Sequence, residues 1–340
     1  MEENGEKILR MPTDYRGKDT TVAFHKYSQS AALKTFIPLL TTHLPHSNAL
    51  YNRMQAHHNT PDRHCLYAGS FPPSASPPDI YTIVFADRSR HLEAQIWVFN
   101  SLICLRPLGD LSALSALSEF QTEMLMRHMR SLLYFLRDTE IPDAPGWPFS
   151  PVLRFGTLHS TLSECLERFA PIVRVSRWHQ YLIPVTLPAQ TGDKKTAELV
   201  QYVARNPENL ISGPVPDDQL EVVIATSYIP RQPSTLRMLP NEGLLDQTGK
   251  LVGWAYLGIE GSLATLYVLP EYRGKGVANY IAGELLKKLG NGNFKHMGYQ
   301  SPWVHAEIAE DNKASIGVAL KLGGKLAWES RYVWVDSDKL

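Results

Sequence analysis

The stretch Leu266-Tyr-Val-Leu-Pro-Glu-Tyr-Arg-Gly-Lys-Gly-Val-Ala-Asn-Tyr280 decides the fold of this chain. A β-prone apolar run ends at Pro270, a basic turn with Gly274 and Gly276 follows, and helix-forming residues begin at once. Proline cannot continue a strand ladder, and glycine lets the backbone turn sharply and approach a ligand closely. The first N–H groups of a helix have no partner within it, and the helix dipole favours negative charge there. With Arg273 and Lys275 alongside, the junction reads as a cradle for a phosphate-bearing ligand. The plainer reading is an ordinary strand-turn-helix junction with a solvent-facing Arg and Lys. Two other phosphate loops are excluded by spacing: no GxxxxGK[ST] occurs, and no GxGxxG with an acidic residue about 20 positions on.

Strands and helices alternate around this junction. Strands are predicted at 243–247, 251–257, 263–269 and 303–308, helices at 217–226, 274–289 and 311–322, and two terminal strands at 325–329 and 332–335. Residues 227–240 read as irregular between prolines. In the first half, 81–85 and 94–99 form a hairpin around Asp87-Arg-Ser-Arg90, and a long amphipathic helix spans about 112–137. Met124, Met126 and Met129 on it read as packing residues. Thr161-Leu-Ser-Glu164 has the capping-box pattern, and 178–184 reads as a closing strand. The prolines at 72–78 and 142–151 mark loops. Residues 185–218 turn polar and Pro/Gly-rich, with room for one helix at 194–204, so a boundary falls near 185. Both halves contain a hairpin followed by helices, which leaves room for a degenerate duplication.

Composition narrows the partners. Lys+Arg 34 against Asp+Glu 34 in 340 residues removes the basic surplus that nucleic acid or an anionic membrane would require. No apolar run approaches the roughly 18 residues of a membrane span, and the polar N-terminus has no signal-peptide core. Cys65, Cys104 and Cys165 are odd in number and widely spaced, against a disulfide framework. A cytosolic protein is expected. His57-His58 with His64-Cys65 has metal-ligand residue types at no metal-site spacing, so no metal is expected. Oligomeric state is left open.

The series Val268-x-Pro270-x-x-Arg273-Gly-Lys-Gly276-Val-Ala278, with Asn312-Lys-Ala-Ser315 and Lys321-Leu-Gly323 downstream, resembles the GCN5-related N-acetyltransferase (GNAT) superfamily. Residues 240–330 resemble its FR47-like and glycine N-acyltransferase branch. The first half fits through Leu44-Pro45, Asn48-Ala-Leu-Tyr-Asn52 and the 80–99 hairpin. The resemblance implies a mixed α/β fold: a degenerate GNAT-like domain over 1–185 and a GNAT domain binding acyl-CoA over 186–340. It also implies that a fragment from about 185 onward still binds CoA.

The resemblance further implies backbone hydrogen bonds from Leu266 and Val268 to the pantetheine arm. Arg273, Gly274, Lys275, Gly276, Val277 and Ala278 would cradle the pyrophosphate, and Asn312 and Ser315 would lie beside the arm. The cosubstrate would be acetyl-CoA or another acyl-CoA, and the acceptor an amine of a small molecule or amino acid. The proton-handling positions depart from the family: the usual glutamate is Ser262 and the usual tyrosine is Ala319. Replacement bases are Glu307 first, His305 second and Glu260 third, His305 and Glu307 alternating on one strand face. The same two residues facing solvent is the competing reading. Trp328, Tyr332 and Trp334 read as sheet core. A catalytically silent acyl-CoA-binding module and a protein or peptide N-acetyltransferase are the alternative functions.

Overall fold

The structure is a computed structural model that describes residues 22–59, 65–87, 95–111, 114–139, 152–185, 210–227, 229 and 231–340. The first half runs β1 (His25–Tyr27), α1 (Gln29–Thr42), α2 (Asn48–Gln55), β2 (Cys65–Gly69), β3 (Thr82–Asp87) and β4 (Gln95–Asn100). It continues with α3 (Glu119–Asp138), β5 (Val152–His159), α4 (Ser160–Glu167) and β6 (Ile172–Pro184). The second half runs β7 (Ile211–Gly213), α5 (Leu220–Thr226), α6 (Pro233–Met238), β8 (Asn241–Leu245), β9 (Leu251–Leu257) and β10 (Leu263–Val268). It ends with α7 (Val277–Gly290), β11 (Trp303–Ile308), α8 (Lys313–Lys321) and β12 (Lys325–Asp336). Among the described residues the two halves therefore repeat one order: strand, two helices, three strands, helix, strand, helix, strand. The duplication left open by the residue pattern is present in the architecture.

The strands pair in two sheets, β1-β2-β3-β4-β5-β12-β6-β11 and β10-β9-β8-β7. The last strand of each half lies within the other half's series: β12 stands between β5 and β6, and β6 between β12 and β11. All three of these contacts are antiparallel, with Ser330 opposite His159, Ser330 opposite Trp178, and Glu307 opposite Gln180. Each half also has one pair of parallel strands that touch at a single point. In the first half, β4 meets β5 where Ile96 faces Phe155. In the second, Ser262 just before β10 bridges to His305 on β11, where the His305 N–H donates to the Gly261 carbonyl at 3.2 Å. Beyond that point β10 and β11 belong to different sheets, and a slot opens between them.

Local chemistry explains the elements that border the slot. On α7, Val277, Ile281, Leu285 and Leu289 are buried at spacings of four, the stripe of a helix with one face on a core. Gly253 on β9 lets that helix come close, since a Cβ there would lie 2.8 Å from Ile281 Cδ1. All of β9 is buried, as expected of a strand covered on both faces. In the first half, Arg53 of α2 is fully buried, ion-paired to Asp87 of β3 and flanked by the rings of Phe85 and Trp97 at 4.7 and 4.8 Å. This clamp fixes α2 over the sheet, and its first residue, Asn48, reaches His305 of β11 at 3.2 Å. One apolar cluster runs from Phe36 and Ile83 to Val223, Leu236 and Trp254, so the core is continuous across the halves.

Several boundaries move. The long helix starts at Glu119 rather than 112, because Ser118 and Gln121 form its capping box; Leu114 belongs to a separate 3-10 turn. Met129 is buried and Met126 packs against the core, as packing residues do. His159, not Thr161, caps α4, its Nδ1 accepting from the Thr161 N–H at 3.2 Å. The 227–240 stretch contains α6, which starts with Pro233 at the helix position that tolerates proline. The two terminal strands are one continuous strand, β12. The closing strand predicted from residue 178 begins at Ile172. The helix expected at 194–204 and the loop at 142–151 lie outside the described residues. Among the described residues no helix is long and apolar enough to cross a membrane.

The exchange of β6 and β12 changes what a cut at 185 would do. A fragment of residues 186–340 lacks the strand between β11 and β12, so both would expose unpaired backbone along edges that are interior in the whole chain. Expressed alone, that fragment is expected to be unfolded by circular dichroism, and to regain strand signal and CoA binding when co-expressed with residues 1–185. A well-folded, CoA-binding 186–340 fragment would contradict the exchange.

Candidate active site

The cradle forms where β10 ends. A 3-10 turn over Pro270–Tyr272 leads to Gly274 and Gly276, both in the left-handed region at φ 75° and 83°, and Gly276 caps α7. A side chain at either position would strain the backbone. A Cβ on Gly274 would meet nothing within 4 Å, so the loop faces open space. Arg273 is exposed and folded back along the strand: its Nε donates to the Val268 carbonyl at 2.9 Å, and its guanidinium lies 5.2 Å from the Tyr267 ring. Lys275 lies over the Tyr272 ring at 5.5 Å. Val277 is buried and Ala278 half-buried, so the helix start is anchored while its N–H groups point outward from the core. Asn279 Oδ1, in that first turn, is buried with no hydrogen-bond partner among the described residues.

The slot begins at the same strand. β10 pairs with β9 on one side only, and between Ala264 and Tyr267 its register shifts through a bulge with Thr265 at φ 52°. A β-branched residue in the left-handed region is strained, and a bulge re-aims the strand edge. Leu266 falls in this shift, and 263–267 are only half-buried. Leu266 therefore offers backbone along the slot, whereas the Val268 carbonyl already accepts from Arg273. Asn312 Oδ1 accepts from the Ser315 N–H at 3.1 Å, so both residues form the N-cap of α8. Their structural duty is the cap.

The predicted bases part company here. Glu307 stands two residues beyond the bridging His305, on the same face of β11. Its carboxylate oxygens accept from the Ser330 hydroxyl and the Tyr332 hydroxyl of β12, each at 2.5 Å. Burial pushes the Glu307 carboxyl up to about 7, against the opposing pull of those two hydrogen bonds. Burial and the neighbouring Glu307 hold the Tyr332 phenol well above its ordinary range, so it remains a donor. His305 is fully buried, and burial pushes it down to about 4. Asn48 Oδ1 accepts from Ser301 and Asn52, which leaves its amide to donate to His305 Nδ1. The imidazole is thus neutral at pH 7 and its remaining proton sits on Nε2. Glu260 lies in the turn before β10 rather than on the strand, and its carboxylate accepts from Ser262.

The solvent-facing alternative is overturned for His305, which is buried, while Glu307 is half-buried with its carboxylate held by Ser330 and Tyr332. The pattern of residues assigned Tyr332 to the sheet core, whereas Tyr332 is the partner of Glu307. No local signal points to that pair, because it depends on β6 entering between β11 and β12. Ser262 is 6% exposed and Ala319 2%, so neither position of the usual glutamate and tyrosine carries a proton-handling group.

Residues 20–203, more than half of the chain, match the family described as the acyl-CoA N-acyltransferase verG N-terminal domain, and residues 219–323 match the acetyltransferase (GNAT) family. The chain belongs to this acyl-CoA N-acyltransferase family, within the GNAT superfamily. An acetyltransferase from Pectobacterium atrosepticum is 35% identical over 77 residues, 22% of this chain and 50% of that protein. The chain thus spans about half the length of that curated relative. A Drosophila protein of solved structure is similar over 92% of this chain and 98% of its own, at a TM-score of 0.60 and 12% identity. A tandem GNAT protein from the clavulanic acid biosynthesis pathway covers 93% and 98% at a TM-score of 0.44 and 11% identity.

Acyl-CoA fits these residues: open space at the left-handed Gly274, flanked by Arg273 and Lys275 at the start of α7, suits a diphosphate, and the half-exposed edge of β10 ends there. Gly276→Asn keeps a residue that tolerates left-handed backbone and adds no charge, whereas Gly276→Asp adds a negative charge beside the diphosphate. By calorimetry, the Asp variant is expected to bind CoA at least about tenfold more weakly than the Asn variant, about 1.4 kcal/mol. Their melting temperatures should agree closely.

Proposed function

We propose that this chain is an acyl-CoA-dependent N-acyltransferase of the FR47-like and glycine N-acyltransferase kind, with acetyl-CoA or another acyl-CoA as donor. The acceptor is the amine of a small molecule or amino acid. Residues 186–340 would carry the cosubstrate and residues 1–185 would form a degenerate GNAT-like domain. The observation that carries the reading is the half-buried Glu307 carboxylate, held by Ser330 and Tyr332 beside the slot between β10 and β11.

Acyl-CoA supplies the thioester whose C–S bond is exchanged for a C–N bond. The cradle from Arg273 to Ala278 holds the charged end, and the open edge of β10 offers backbone donors and acceptors along the arm. Glu307 lies two residues past the point where β10 and β11 touch, about 7 Å along the strand. That places it at the mouth of the slot. As the amine attacks, Glu307 takes its proton, the general-base role worth about 10² to 10⁴-fold. His305, neutral and fully enclosed, would serve in fixing the mouth of the slot through Asn48 and the bridge to Ser262.

The sign of the pH dependence follows from Glu307. Below about pH 7 its carboxyl is protonated and cannot accept a proton, so kcat should rise through about pH 7. Glu307→Gln should lower kcat by about 10² and lose that rise, while CoA affinity stays within about twofold. Thiol release from acetyl-CoA and longer acyl-CoAs over a panel of small amines, amino acids and peptides measures this. Saturable CoA binding without turnover on any amine would favour the binding-module reading instead.

A further inference from the structure

Besides Asn48, a second residue of the first half stands near the proposed base. Thr157 of β5 is a β-branched residue at φ 49°, at the bulge where the pairing of β5 with β12 shifts between Arg331 and Val333. That conformation costs on the order of 1 to 3 kcal/mol and persists only where its surroundings enforce it. Its Oγ1 is buried and has no partner at full hydrogen-bond geometry. The bulge sets Thr157 opposite Tyr332, whose phenol bonds Glu307, and the threonine hydroxyl favours the charged form of Glu307. Thr157 is also the internal counterpart of Glu307. Phe155 and His305 are the two residues at which the fifth strand of each half touches its fourth, and Thr157 and Glu307 each follow two positions later.

We propose that Thr157 acts with Tyr332 and Ser330 as a positioning set for the Glu307 carboxylate, so that the acyl-transfer site is built from both halves of the chain. The proposal rests on Glu307 being the base. Two hydroxyls of β12 bond the carboxylate, and Thr157 of β5 stands at the bulge opposite Tyr332 with its own hydroxyl buried; β12 and β5 come to this side of β11 only because the terminal strands are exchanged. Hydroxyl donors favour a carboxylate over a carboxylic acid and fix its rotamer. Of the neighbouring titratable groups, Glu260 opposes ionisation of Glu307 by its charge, and His305, two residues back on β11, is pushed down to about 4. None of them supplies a positive charge near pH 7, so the hydroxyls carry the stabilisation of the anion.

Infrared titration of the full chain tests this without knowledge of the acceptor. The carboxyl C=O band missing from Glu307→Gln identifies Glu307, and its midpoint is followed in wild type, Tyr332→Phe, Ser330→Ala, Thr157→Val and Thr157→Gly. Losing a donor to the anion raises proton affinity, so the midpoint should move to higher pH by about tenfold in affinity for Tyr332→Phe and about two- to fivefold for Thr157→Val. Thr157→Gly should shift it in the same direction while raising the melting temperature, because glycine relieves the backbone strain. A merely structural Thr157 would move stability and leave the midpoint in place. Unchanged midpoints in Tyr332→Phe and Thr157→Val, with the band still absent in Glu307→Gln, overturn the positioning set and leave the base assignment standing. Full kcat in Glu307→Gln overturns the base assignment itself, whatever the midpoints do.

Discussion

The pairing of β6 with β12 is the constraint on which the rest of the structure depends. Each strand is the last of its half, and each is enclosed by strands of the other, so backbone donors and acceptors that would otherwise sit at two sheet edges are satisfied along their length. Around this pair the halves keep their own helices and their own splayed strands. Arg331 of β12 illustrates the tie on the opposite face, where it bonds Glu164 and Glu167 of α4 at 3.0 and 2.8 Å. Nothing in that arrangement allows the second half to be closed without the first.

The two halves have diverged at equivalent positions. The second keeps a strand that ends at a proline, a basic glycine turn and an anchored helix start. In the first, β4 runs into a 3-10 turn at Ser101–Leu105 and α3 starts only at Glu119, so strand end and helix start are not contiguous. A phosphate cradle requires that junction to be short, because the first-turn N–H groups must follow directly on the strand end. The first half retains the splay, while its α2 reaches across to the second half at His305.

Much of the second half was legible from residue order alone. The ranges 251–257 and 303–308 match β9 and β11 residue for residue, because apolar β-branched and aromatic runs bounded by turns are local signals. The strand-turn-helix junction after β10 was equally legible, since strand end, glycines and helix start are contiguous. What could not be read were facts of long range. α6 was hidden among prolines, one of which is its first residue. Tyr332 has the alternation of a core residue, and only the register with β6 and β11 shows that it meets Glu307. Likewise, nothing near Thr157 in the chain announces that the exchange sets it opposite Tyr332 of the second half.

The exchange also fixes an order of events in folding. Arg331 and Glu164, which meet across β12 and α4, are 167 positions apart in the chain. Pairings of such separation must wait for loop closure, and folding slows as they come to dominate the contacts. During synthesis at about 5 to 20 residues per second, β5 and β6 emerge on the order of ten seconds before β12 exists to separate them. In that interval each carries an unsatisfied edge, and a direct β5–β6 pairing is the nearest wrong partner. The same strand that completes the active site therefore also releases the first half from its nascent state.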